Sequence, residues 1–306
     1  MKPLSLDQNE IPDLYTAERG DLSFTVYKGQ LVSIQKAGIE YLHGAGKPSE
    51  LKEDSDERGY FKSEIFCFPI FGAVPDFKVS LGNKEYSHDL HGTSPNIPWE
   101  EADKSDYGIV YKQTLAGLNV KNLYAPSNPL YAGTERPDFI EWPHPFTIEK
   151  RIEIIESGII NVSFSITNDS DRAMPYTSAW HPGFRVNTEN GTFVSDKRFF
   201  SVEDVIKQSD SSIKLEGESY VTYMDTETRH GIDVSSKDFS NFMVWIPPND
   251  RLSGMACIEA ISNFPDPQKP FFTGWNQSAL EEKVSDDFRI LKAGETVTYS
   301  IALSPF

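Results

Sequence analysis

From residue 160 to residue 167 apolar and polar side chains alternate without a break. Ile160, Val162, Phe164 and Ile166 are separated by Asn161, Ser163, Ser165 and Thr167. Successive side chains of an extended chain point to opposite faces, so this segment predicts a strand with one face buried and one wet. It stops at Asn168-Asp169-Ser170, residues that favour turns. Upstream, Phe146, Ile148, Ile152 and Ile154 mark a second β-rich run, and Glu156-Ser157-Gly158 between the two reads as a hairpin connection. The pair is expected to be antiparallel. The alternation returns near both ends of the chain, at Leu22-Ser23-Phe24-Thr25-Val26 and at Val297, Tyr299, Ile301 and Leu303. Turn signals at Lys28-Gly29, Leu81-Gly82-Asn83, Thr188-Glu189-Asn190-Gly191 and Ala293-Gly294-Glu295 separate such runs. Long stretches with a helical period are absent. A chain patterned this way is expected to be all-β, a large antiparallel β-sandwich.

The 306 residues suit one large domain or two small ones. No Gly/Ser/Pro-rich linker divides them and no fixed-period repeat occurs, so a single domain over 1–306 is the economical reading. Ser209 to Glu218, rich in Ser and Glu, reads as a solvated loop rather than a boundary. A net charge of −17, from 29 basic and 46 acidic residues, would repel a phosphate backbone or an anionic membrane. No stretch approaches membrane-spanning length, and the first ten residues lack the apolar core of a secretory signal, which makes a cytoplasmic location the expectation. Cys67 and Cys257 each lie in an apolar run and read as buried free thiols. Neither a nucleophile elbow nor a nucleotide-binding glycine motif is present, and no cysteine-based metal site is supported. That leaves acid and base chemistry.

Histidine is the usual carrier for such chemistry, and the chain has six. His230, in Thr228-Arg229-His230-Gly231, is expected at the surface. His144 stands between Pro143 and Pro145, where a rigid connection accounts for it. His43 precedes Gly44 and a stretch to Glu50 that reads as a flexible loop, and it receives no role. His88 and His91 are three residues apart, so in an extended segment they face opposite ways and only one is expected at a shared site. Gly92, next to His91, would let a ligand approach the backbone closely. His181 is flanked by Trp180 and Phe184, with Pro182-Gly183 turning the chain after it, which suggests an imidazole walled by aromatics and open on the turn side. The alternative is a strand-end histidine bonded to a backbone carbonyl. Glu259 follows the apolar run Met255-Ala256-Cys257-Ile258, and burial there would raise its pKa and make it a stronger base. On an edge strand it would instead point to water.

The order of these segments resembles the aldose 1-epimerase (galactose mutarotase-like) family, most closely its LacX-like branch. The resemblance runs from Glu40-Tyr41-Leu42 through Phe68-Pro69-Ile70-Phe71-Gly72 and Leu90-His91-Gly92. It continues through Met174-Pro175-Tyr176 and Trp180-His181-Pro182-Gly183-Phe184 to Cys257-Ile258-Glu259, Phe264-Pro265-Asp266 and Leu291-Lys292-Ala293-Gly294-Glu295. It implies a galactose mutarotase-like supersandwich with a sugar cleft on one face, and an isomerase that interconverts the anomers of a free aldose without metal or cofactor. It further implies that His181 matches the family's proton donor, Glu259 its general base and His91 its sugar-contacting histidine. Asp225, in Tyr223-Met224-Asp225-Thr226, is the candidate for the family's sugar-binding aspartate. Trp245, in a Trp-x-Pro element, could line the cleft but reads more readily as packing. Two departures matter. Ala73 follows Gly72 where relatives often carry Arg, and Thr93-Ser94-Pro95 follows His-Gly where the branch acting on phosphorylated hexoses is expected to be basic. A free sugar is therefore favoured over a sugar phosphate. The competing readings are a non-catalytic carbohydrate-binding or sensing protein and a sandwich domain serving a larger carbohydrate enzyme. The oligomeric state is not legible.

Overall fold

The computed structural model of the protein describes residues 13–43, 63–127, 132–156, 158–247, 254–266, 269–272, 275 and 287–306. The loop expected over Gly44 to Glu50 lies outside them. The described residues are organised by two large antiparallel sheets. A nine-stranded sheet takes its strands in the order Phe199–Ser201, Gly191–Ser195, Tyr220–Asp225, Gly231–Ser235, Thr296–Pro305, Ile160–Asn168, Phe146–Ile154, Gly108–Leu115 and Glu100–Lys104. A five-stranded sheet runs Ser212–Glu216, Asn241–Trp245, Met255–Ile261, Ala179–Arg185 and Glu64–Cys67. A four-stranded meander over residues 14–40 closes one side. No helix among the described residues is long and apolar enough to cross a membrane.

The alternation at residues 160–167 has the expected effect. Ile160, Val162, Phe164 and Ile166 are fully buried, while the residues between them are half-exposed. The hairpin with Phe146–Ile154 pairs Ile148 with Ile166 and Ile152 with Val162, so both strands direct their branched side chains to the same face. That face meets the inner face of the five-stranded sheet. Phe66 stacks on Phe164 with ring centroids 3.9 Å apart, and Trp180, Phe184, Phe242 and Ile258 belong to the same continuous core. One ion pair crosses it: the Lys150 ammonium of the larger sheet meets the Glu64 carboxylate of the smaller. Glu64 also accepts hydrogen bonds from the Trp180 indole and, at 2.6 Å, from the Leu31 amide, while Lys150 donates to the Gly29 carbonyl at 2.9 Å. Buried charges are tolerable when each is paired and hydrogen-bonded in this way.

Two expectations about local structure have opposite outcomes. Cys67 and Cys257 are buried free thiols, as their apolar surroundings predict. Ser209 to Glu218 is not simply a solvated loop, because Ser212–Glu216 forms the edge strand of the five-stranded sheet. Leu215 is fully buried and Ile213 half-buried, and these two apolar residues among polar neighbours are a short period-2 signal that the Ser and Glu content obscured. The strand's outer edge is covered by cations. Lys197 Nζ donates to the carbonyls of Glu216 and Gly217 at 3.1 and 3.0 Å, and Arg198 Nη1 to that of Lys214 at 3.4 Å. Capping an edge with charged side chains blocks its pairing with other strands.

Candidate active site

The strand Ala179–Arg185 lies between Glu64–Cys67 and Met255–Ile261. Its register pairs Ala179 with Ile261 and Gly183 with Cys257, which sets His181 across from Glu259. Alternation then decides what each residue does. Trp180 and Phe184 point into the core, and His181 and Glu259 share the opposite face. His181 Nε2 lies 3.4 Å from Glu259 Oε1, with both side chains almost wholly buried. The aromatic wall expected from Trp180 and Phe184 is therefore not theirs, since flanking residues in a strand face away. Trp245 supplies it, from the strand on the far side of Glu259: it pairs with Cys257 and sets its ring perpendicular to His181 at 5.9 Å. Trp245 is half-exposed.

His91 reaches the same place from a loop, its ring perpendicular to that of His181 at 5.3 Å. Four hydrogen bonds hook the loop together. Phe68 N donates to His91 O at 3.2 Å, His91 N to Gly72 O at 3.1 Å, Ser94 N to Phe68 O at 2.9 Å and Gly72 N to His91 Nδ1 at 3.3 Å. Because Nδ1 accepts, the proton of the neutral ring resides on Nε2. His91 and Gly92 both have left-handed backbones, at φ 62° and 82°. The space at Gly92 is not left for a ligand as expected: a Cβ there would collide with the carbonyl oxygen of Phe68, so the glycine admits the protein's own backbone. The buried Asp89 carboxylate anchors the turn. It accepts from Arg136 Nη1 at 2.6 Å, from the Leu90 amide at 2.6 Å and from Asn122 Nδ2 at 2.8 Å.

Burial sets the electrostatics. Desolvation pushes the His91 pKa down to about 3 and holds that of His181 well below the ordinary histidine value, with His91 adding to the effect on His181. Desolvation also raises Glu259 well above the ordinary carboxyl range. Among the described residues, neither Glu259 oxygen accepts a hydrogen bond. Burial thus opposes charge on both partners and favours a neutral carboxyl beside a neutral imidazole. The two groups stand 3.4 Å apart. Such a pair can give a proton to one atom of a ligand and take one from another without accumulating net charge.

The other sequence candidates separate from this cluster. Asp225 stands at the end of a strand in the larger sheet, where its carboxylate accepts from the Glu227 and Thr228 amides at 2.9 and 3.4 Å and from Asn187 Nδ2 at 3.2 Å. Those contacts are those of a turn-forming aspartate. His88 packs against Trp142 at 5.9 Å, and the segment joining it to His91 turns instead of running extended, with His91 at φ 62°. His144 is buried in the same aromatic group, 5.7 Å from Trp142 and 6.0 Å from Trp275. His230 is exposed. Phe71 was not singled out from sequence; it stacks on His91 at 5.9 Å.

The sequence profile of the aldose 1-epimerase family matches residues 29–243. No curated protein matches the chain. Among solved structures, a galactose mutarotase-like protein from Lactobacillus casei superposes with a TM-score of 0.69 at 15% identity, covering 96% of this chain and 100% of its own. A galactose mutarotase related enzyme from Lactobacillus acidophilus gives 0.70 at 14% identity, covering 96% and 97%. An aldose epimerase homologue from C. elegans gives 0.61 at 11%, covering 96% and 98%. At such identities the likeness is one of fold: the galactose mutarotase-like sandwich.

Proposed function

The chain belongs to the aldose 1-epimerase family, and from that premise we propose that it interconverts the α and β anomers of a free aldose. His181 and Glu259 act as the acid and base pair and His91 holds the sugar. The observation that carries this reading is the 3.4 Å approach of two buried, oppositely shifted titratable groups on one face of a sheet. Sugar hydroxyls entering the cleft supply the hydrogen bonds that Glu259 lacks, which favours its ionised form and moves its proton to His181. Glu259 then takes the proton of the C1 hydroxyl while His181 gives its proton to the ring oxygen. The bond from C1 to the ring oxygen breaks and the C1 hydroxyl becomes an aldehyde. Rotation about the C1 to C2 bond exposes the other face, and the reverse transfers reclose the ring. Ring opening discharges the pair, returning it to the uncharged form that a desolvated site favours.

His91 donates from Nε2 to a sugar oxygen, and the half-exposed Trp245 ring offers an apolar surface to the pyranose. NMR exchange between glucose or galactose anomers tests the proposal. His181→Ala or Glu259→Gln is expected to lower the rate by about 10²–10⁴-fold, the contribution of a positioned proton transfer. An undiminished rate in either variant, or no acceleration of any common aldose, overturns it. Sugar binding without exchange in the unaltered protein would replace it with a sugar-sensing role.

A further inference from the structure

The cross-strand register continues past the proton-transfer pair. Glu259 pairs with Met243, and Met243 pairs with Lys214 on the edge strand, so His181, Glu259, Met243 and Lys214 form one row on one face of the sheet. Two strand spacings put the Lys214 backbone about 10 Å from that of Glu259, within reach of the far end of a pyranose whose C1 lies at the pair. The lysine does not turn away from the cleft. Its Nζ sits 5.2 Å from the centre of the Phe264 ring, and Phe264 packs on the group formed by Ile65, Cys67, Phe71, Ala179 and Ile261 on the site face. Lys214 is exposed, and among the described residues no carboxylate pairs with it, including Glu216 two residues on along the same face. Lys197 and Arg198 are drawn to the same strand by its carbonyls, so cations gather at this rim of a chain whose net charge is −17.

Building on the anomer-exchange reading above, we infer that the cleft takes an aldose bearing a carboxylate at the end remote from C1, a hexuronic acid, with Lys214 as its counter-ion. A lone ammonium over an aromatic ring suits a single negative charge. A phosphate ester would call for the bidentate guanidinium fork that this chain lacks after Gly72. Phe264 meanwhile partly shields the ion pair from water.

The test compares anomer exchange of glucuronate, glucose and glucose 6-phosphate, with calorimetric binding of each in parallel. In the unaltered protein glucuronate is expected to have the highest kcat/KM and the tightest binding. Lys214→Gln is expected to lower the ratio of glucuronate to glucose kcat/KM about fivefold, mainly through KM, as is 0.5 M salt, since a partly exposed ion pair is weak and screened. A ratio unmoved by the substitution, or glucose bound as tightly as glucuronate, overturns the inference. Preference for glucose 6-phosphate overturns the carboxylate assignment. Exchange of glucose with glucuronate exchange also indifferent to Lys214→Gln sinks this inference alone, whereas sugar binding without exchange of any of the three sinks the anomer-exchange reading and leaves the binding comparison to decide the role of Lys214.

Discussion

A carboxyl removed from water and given no hydrogen-bond donors costs the fold energy when it ionises. The folded pKa of Glu259 stands well above its ordinary value, so the folded protein holds that proton more tightly than the unfolded chain does. Its contribution to stability is therefore fully present below the ordinary carboxyl pKa and is lost as pH rises through the folded value. Glu259→Gln keeps the shape without the charge. It is expected to raise the melting temperature by about 2–4 °C at pH 8 and by less at pH 5, even as it removes exchange activity. Calorimetry at the two pH values checks this, and an equal gain at both would contradict it. Single residues also show what sequence can and cannot convey. Glu259 was legible because a carboxylate stands out in an apolar strand, whereas the turn expected after His181 is absent, since Pro182-Gly183 lie inside the strand Ala179–Arg185. Trp245 was not legible, because its place beside His181 depends on pairing between strands far apart in the chain. At Asp225 the sequence is silent for a related reason: a short acidic motif looks the same whether its oxygens face a ligand or, as they do here, accept from the amides of its own turn.

The loop that delivers His91 depends on geometry that few residues can adopt. His91 and Gly92 both occupy the left-handed region, and the Gly92 Cα lies against the Phe68 carbonyl. Gly92→Ala adds a methyl group where there is backbone and a φ that an L side chain rarely takes. A loss of about 2 kcal/mol or more is expected, read as a lower denaturant midpoint, with KM for sugar rising because His91 moves. An unchanged midpoint would show that the loop relaxes. Whole strands were the most legible elements where one face is dry and the other wet, as at Ile160–Asn168. The edge strand Ser212–Glu216 was missed because only one of its residues is fully buried, which leaves little apolar signal to alternate.

For the molecule as a whole, buried neutral histidines tie stability to pH. Burial lowers His88 and His144 to about 4 and His91 to about 3, and His181 shifts the same way. Each contribution is complete above the unfolded value near 6.5 and is lost as pH falls through the folded value, because the unfolded chain takes up the proton first. At pH 5 each of His88, His91 and His144 costs about 2 kcal/mol relative to pH 7. Glu259 and Glu40, whose pKa values are raised, act in the opposite sense and offset part of the loss. The net expectation is a markedly lower urea midpoint at pH 5 than at pH 7, and equal midpoints would refute the neutral state of these rings. The sandwich itself follows from alternation, which is local. The meeting of its two sheets through Lys150 and Glu64 is not legible in the same way, since nothing near either residue announces its partner.

The strand Ala179–Arg185 sends Trp180 and Phe184 to one side and His181 to the other. Sliding it by one residue would put an imidazole in the hydrophobic interior and an indole on the face that carries Glu259. A mispaired strand therefore loses its packing and its histidine–carboxyl pair together, so that under the proposed function misfolding and loss of activity coincide at this segment.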